Sequence, residues 1–134
     1  MDYCYRHSIR KVSVRIYRTN VGIVAEYNPL HLGHVHHIRA ARERAEGANV
    51  VVVLSAQGDT TDDLIAKAAE INENPSKREM DVLLSTGEQI STALLAMALE
   101  KMGYPVVSLT GWQAGFYTDS NHGNSRIKKI MSER

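Results

Sequence analysis

Apolar positions fall into short runs whose internal spacing changes along the chain, and the changes mark the elements. Residues 50–54 read Val-Val-Val-Val-Leu, with no polar side chain at alternate positions. That pattern predicts a strand buried on both faces, hence helices above and below a parallel sheet. A second mostly apolar run, residues 21–27, breaks at Asn28-Pro29, where proline removes a donor and holds the preceding residue extended. From Gly33 to Glu46 the apolar residues Val35, Ile38, Ala41 and Ala45 recur at three and four, and Gly47 is placed to stop a helix in a left-handed conformation. Strand, loop, helix and strand together predict a right-handed βαβ unit.

Beyond residue 54 a loop of small residues leads into a second helix, capped by Asp59 or Thr60 and running to about Asn72, with Leu64, Ile65, Ala68 and Ile71 inward. Asn74-Pro75 ends it. Ser76 and Glu79 fit a capping box that opens a long helix to about Met102, with the stripe Met80, Leu83, Leu84, Ile90, Leu94, Met97 and Ala98. Gly87 interrupts that stripe at a cost of about 1 kcal/mol relative to alanine, so a nearby ligand or backbone should repay it. Gly103 and Tyr104-Pro105 turn the chain, and residues 106–109 predict a third buried strand. Trp112 and Phe116 pack a loop against the sheet, and Ile127 and Ile130, set among Arg126, Lys128 and Lys129, suggest a final edge strand. Val12, Val14 and Ile16 alternate with polar residues, which makes residues 1–20 an N-terminal extension or edge strand. The expected architecture is a three-layer, Rossmann-like α/β domain over residues 21–134, with a mostly parallel sheet near residues 21–27, 50–54 and 106–109.

Charge and composition narrow the partners. Sixteen basic against fifteen acidic residues leave a net +1, so bulk charge makes no case for nucleic acid or membrane. The single cysteine, Cys4, excludes an internal disulfide, and no unbroken apolar run reaches the ~18 residues of a membrane span. A soluble, cytoplasmic protein acting on small molecules is the expectation, with a homo-oligomer left open.

The chemistry concentrates past the carboxyl ends of the first two strands, where parallel sheets bind ligands. Ser55, Gly58, Thr60 and Thr61 follow the second strand. His31-Leu32-Gly33-His34 follows the first, and two imidazoles beside unpaired N–H groups at a helix start are placed to hold a triphosphate, with Gly33 letting phosphates approach. His36 and His37 add two more rings on the first turn. Four histidines in seven positions also suit a metal, but Glu26 is the only nearby carboxylate and no second ligand cluster accompanies it. Solvated helix-start residues are the remaining alternative.

Two family resemblances meet at the second strand. GIVAEYNPLHLGHVHHI resembles the HxGH nucleotidyltransferases, most closely the start of the tRNA cytidine acetate ligase family, over about residues 21–47. In that family the segment binds the ATP that adenylates acetate, which implies a nucleotide site at Asn28, His31, Gly33 and His34, with the two histidines catalytic. VVVLSAQGDTTDDLIAKA, NPSKREMDVLLSTGEQISTALLAMALEKMGYPVVSLTGWQAG and TDSNHGNSRI resemble the N-terminal catalytic segment of aspartate kinases, of the amino acid kinase fold, over about residues 47–134. That resemblance implies ATP with Mg2+, transfer of the γ-phosphate to the β-carboxylate of aspartate, and substrate contacts at Thr61 and Glu88.

Both patterns are departed from. Aspartate kinases open on a Lys-Phe-Gly-Gly segment that holds phosphates, and residues 21–27 contain neither a lysine nor Gly-Gly. The kinase catalytic domain also continues beyond the matched blocks, and the later phosphate-binding elements of the nucleotidyltransferases would fall where kinase-like sequence stands. Phosphoryl transfer needs several cations and dipoles held together, so the expectation is half a site from each family, neither complete. A non-catalytic α/β fold, joining two βαβ starts naturally or by engineering, is the third reading.

Overall fold

The computed structural model of the chain describes residues 20–27, 31–44 and 49–131. The edge strand expected around Val12, Val14 and Ile16 lies outside the described residues, as do Asn28, Ala45 and Gly47. In chain order the elements are β1 (Asn20–Ala25), α1 (Leu32–Arg44), β2 (Asn49–Leu54), α2 (Thr60–Ile71), α3 (Lys77–Lys101), β3 (Phe116–Thr118) and β4 (Ile127–Ile130).

The predicted βαβ unit forms, and the fold is α/β with a parallel sheet. β1 and β2 pair parallel with Ile23 opposite Val52 and Ala25 opposite Leu54, so both strands end on the same rim. Ile23, Ala25, Val50, Val52 and Leu54 share one face, where they meet Ile38 of α1 and Leu95 and Leu99 of α3. Each large side chain buried there contributes roughly 1.5–3 kcal/mol relative to exposure.

The other face differs from expectation. Val51 and Val53 are 52% and 56% exposed, and Val24 more so. The run at residues 50–54 is therefore buried on one side, because α1 and α3 both feed the same core and no described helix covers the opposite face. Residues 106–109 do not form the expected third strand either. Val106 packs against the core cluster, Val107 is exposed, and the segment makes no ladder with β1 or β2.

α3 is capped as its sequence predicts on one side only. The Ser76 Oγ accepts from the Glu79 N–H at 3.3 Å, while the Glu79 carboxylate meets the Arg78 guanidinium instead of reaching back. Its buried line is Gly87, Ser91, Leu95 and Leu99, rotated from the predicted stripe, and Ile90, Leu94 and Met97 are exposed. Small residues won this face because they admit the loop after β2: a Cβ on Gly87 would stand 2.9 Å from the Ala56 Cβ. Ser91, 1% exposed, satisfies its hydroxyl by donating to the Gly87 carbonyl at 3.1 Å. α2 packs on α3 through Leu64 and Ala68, whereas Ile65 and Ile71, expected inward, face solvent. By length and composition alone α3 could span a membrane; here it supplies Leu95 and Leu99 to the core.

A separate antiparallel hairpin joins β3 to β4, with Phe116 opposite Ile130, confirming the final strand near the C-terminus. Gly115, at φ 89°, is required there because a Cβ would collide with the Met131 carbonyl oxygen.

Candidate functional site

Parallel pairing of Ala25 with Leu54 sends the loops after β1 and β2 out of one rim. His31, Gly33 and His34 therefore follow the carboxyl end of β1 and Thr61 that of β2, where open α/β sheets place ligands.

On the β1 side, Tyr27 organises the loop. It is buried, and it is the one non-glycine among the described residues with a positive φ, 50°. Its ring stacks on His34 with centroids 4.4 Å apart, and its hydroxyl lies 3.1 Å from the His37 Nδ1. Burial raises the Tyr27 pKa, so the phenol keeps its proton at that contact. His31 in turn stacks on His34 at 3.6 Å.

The backbone N–H groups expected to be free for phosphate are not all free. The His31 Nδ1 accepts from Gly33 N–H at 3.1 Å, the His34 Nδ1 accepts from His31 N–H at 3.2 Å, and the His34 N–H donates to the His31 carbonyl at 3.0 Å. The imidazoles act as the helix's own caps, a role a ring nitrogen can fill when neutral. This fixes the tautomer: with Nδ1 accepting, each ring carries its proton on Nε2 and keeps that donor for a ligand. Burial, then the neighbouring His31 and His37, hold the His34 pKa below the ordinary value, which favours the same neutral form. Two Nε2–H donors at the positive end of α1 fit a phosphate oxygen better than they fit a metal, and no metal-binding cluster occurs among the described residues. His36 is exposed and has no part in the stack.

On the β2 side the loop of residues 55–59 is pressed under α3. Gly87 is approached by Ala56, Thr60 and Leu64, so the turn of α3 that carries Glu88 sits against the start of α2 that carries Thr61. The buried approach of α3 is what repays the helix cost of Gly87. Thr61 and Glu88 are both exposed, flanking this dry contact. Thr60 closes the turn by donating its hydroxyl to the Gln57 carbonyl at 2.5 Å. Gln57 then bridges the two loops, its Nε2 donating to the Tyr27 carbonyl at 3.2 Å.

The structure thus sets the turn of α3 that precedes Glu88 against Ala56 and Thr60, with Thr61 and Glu88 both exposed, and separately brings His31, Gly33 and His34 together; Asn28 lies outside the described residues. Tyr27 and Gln57 were missed by sequence reasoning. The tyrosine just before Asn-Pro was a signal for a chain reversal, but nothing in the sequence tied Gln57 to it. Two shallow grooves lie elsewhere, about 310 Å³ beside Met97 and Val106 and about 200 Å³ beside Ala68 and Met80, and neither is lined by a predicted site residue.

Comparison with known proteins returns both resemblances. Residues 18–58 match the family model of the HIGH Nucleotidyl Transferase family. The aspartokinase of Geobacillus stearothermophilus is 51% identical over 84% of this chain and 29% of its own length, and aspartokinase 2 of Bacillus subtilis (strain 168) is 50% identical over 81% and 28%. The crystal structure of the aspartate kinase from Synechocystis aligns with a TM-score of 0.52 at 44% identity, over 72% of this chain and 17% of that one. The chain spans under a third of the length of these curated relatives. Residues 47–134 are about two-thirds of the chain, so an 84% match reaches back before Gly47 and into the segment that carries the histidines. The chain is similar to aspartokinases over most of its length and to HIGH nucleotidyl transferases over residues 18–58, and the two similarities overlap across α1 and β2.

Proposed function

We propose that the chain is the amino-acid-binding segment of an aspartate kinase-type phosphotransferase, with aspartate seated between the first turn of α2 and the Gly87 turn of α3. The observation that supports this reading is the approach of Gly87 to Ala56 and Thr60, the sequence neighbours of Glu88 and Thr61, next to the loop that leaves β2 on the rim where β1 also ends. The start of α2 favours a carboxylate through its dipole and the Thr61 hydroxyl, and Glu88 offers a counter-charge to the substrate ammonium. Asp62 and Asp63 in the same turn stabilise the helix but repel a carboxylate, so the ammonium contact decides whether binding is favourable. The reaction served joins a β-carboxylate oxygen of aspartate to the γ-phosphorus of ATP and releases ADP, with Mg2+ neutralising phosphate charge.

Calorimetry with aspartate tests this reading. Thr61→Ala and Glu88→Gln each weaken binding by roughly tenfold or more, the scale of a lost hydrogen bond to a charged group. Absence of binding to the unaltered chain, or unchanged affinity in both variants, rules it out.

A second reading is favoured by the family match on residues 18–58. Here His31, Gly33 and His34, with Asn28, hold ATP phosphates through the Nε2–H donors, and the chemistry is nucleotidyl transfer. Replacing both His31 and His34 by alanine then abolishes ATP affinity, and pyrophosphate rather than ADP is the product. ATP binding that survives the double substitution excludes it.

A further inference from the structure

We propose that Gln57 is a positioning residue for the imidazole pair: its side-chain amide, delivered by the loop after β2, holds the Tyr27 carbonyl and so fixes the aromatic ring against which His34 stacks. This deepens the nucleotide reading of His31 and His34 and rests on it for its purpose, though not for its geometry.

Tyr27 is held in a conformation that a tyrosine adopts rarely, at φ 50°. Such a backbone persists only where surroundings over-determine it, and three contacts do so. The Gln57 Nε2 donates to its carbonyl at 3.2 Å, its hydroxyl meets the His37 Nδ1 at 3.1 Å, and its buried ring lies on His34 at 4.4 Å. The first of these comes from a different element, and from beyond the reach of the loop itself. Gln57 is in turn fixed from its own side, because its carbonyl accepts from both the Thr60 backbone N–H and the Thr60 hydroxyl. A line of contacts therefore runs from Gly87 and Thr60, through Gln57, to Tyr27, His34 and His31. Loss of the Gln57 amide leaves a carbonyl short of its donor and removes the restraint that keeps Tyr27 left-handed. The ring then leaves His34, and the stack loosens without any change to the histidines themselves.

The test is solution NMR of the ligand-free chain, so it stands whether or not aspartate or ATP binds. In the unaltered chain the Gln57 side-chain amide protons give contacts with Tyr27, and the His34 ring protons are shifted upfield by the stacked phenol. In Gln57→Leu the His34 ring signals move downfield and its titration midpoint rises toward the ordinary 6.5, while amide signals of the β3–β4 hairpin stay in place. Gln57→Glu, which keeps the length but lacks the NH2 group, gives the same change near neutral pH and serves if the leucine variant does not fold. Absence of the Gln57 to Tyr27 contact in the unaltered chain overturns the proposal, as does an unmoved His34 in either folded variant. Failure of both ligands to bind, with the His34 response intact, removes the functional readings and leaves the positioning role standing.

Discussion

The loops after β1 and β2 leave the same rim of the sheet, yet they hold their candidate residues by opposite means. The β2 loop is fixed by dry contact: Gly87 has no side chain, so α3 closes onto Ala56 and Thr60 and carries Glu88 with it. On the β1 side the start of α1 is held by polar closure, its imidazoles accepting the N–H groups of their own helix start. The first arrangement depends on volume and is indifferent to pH. The second depends on neutral rings and on a neighbouring loop, through Gln57, for the position of its aromatic support.

The two loops come apart most visibly at Gly87. Gly87→Val places branched carbons where even a single Cβ would stand 2.9 Å from Ala56, and overpacking of this kind destabilises by about 2–3 kcal/mol. Denaturant unfolding reads that loss, and the same variant abolishes aspartate binding while the His34 stack, one loop away, shifts less. A smaller effect separates both loops from the far end of α3. Ser76→Ala removes the cap that starts the helix, costs about 1 kcal/mol by denaturant unfolding, and leaves both loops unaltered because it acts well away from the rim.

The smallest effect is confined to the β1 loop and carries a sign. The His34 pKa is held below its unfolded value of 6.5, first by burial and then by His31 and His37. The folded state therefore binds fewer protons than the unfolded state, so this contribution is present above pH 6.5 and is lost as pH falls through the lowered value. Thermal midpoints measured between about pH 8 and about pH 5 fall on the acid side, and His34→Phe, which keeps a ring for stacking, reduces the fall. An equal fall in the variant would mean that His34 contributes none of it.

Much of this arrangement was legible in the sequence. The order strand, helix, strand, two helices could be read from spacing, as could the Ser76 cap, the stop near Met102 and the strand at Ile127 and Ile130, because each is a local signal. The rim was legible too, since parallel pairing sends both loops to one side. What failed depended on neighbours. The stripe of Ile90, Leu94 and Met97 satisfies helical periodicity as well as the line of Gly87, Ser91, Leu95 and Leu99, and only the side chains of Ala56 and Thr60 waiting opposite Gly87 select the second. The run at residues 50–54 says the strand is apolar, not how many of its faces are covered. Residues 106–109 have strand composition, but a strand exists only where a ladder partner lies beside it. Two of the N–H groups expected free at the start of α1, those of His31 and Gly33, were taken by the imidazoles because a neutral ring nitrogen accepts as well as donates.

Cross-strand proton contacts in the folded chain, read by NMR, bear most directly on the shared rim. Contacts are expected between Ile23 and Val52 and between Ala25 and Leu54, together with one from the Ala56 methyl to the Gly87 α-protons. A register displaced by one residue, or an Ala56 methyl remote from Gly87, would mean that the two loops do not leave the sheet side by side.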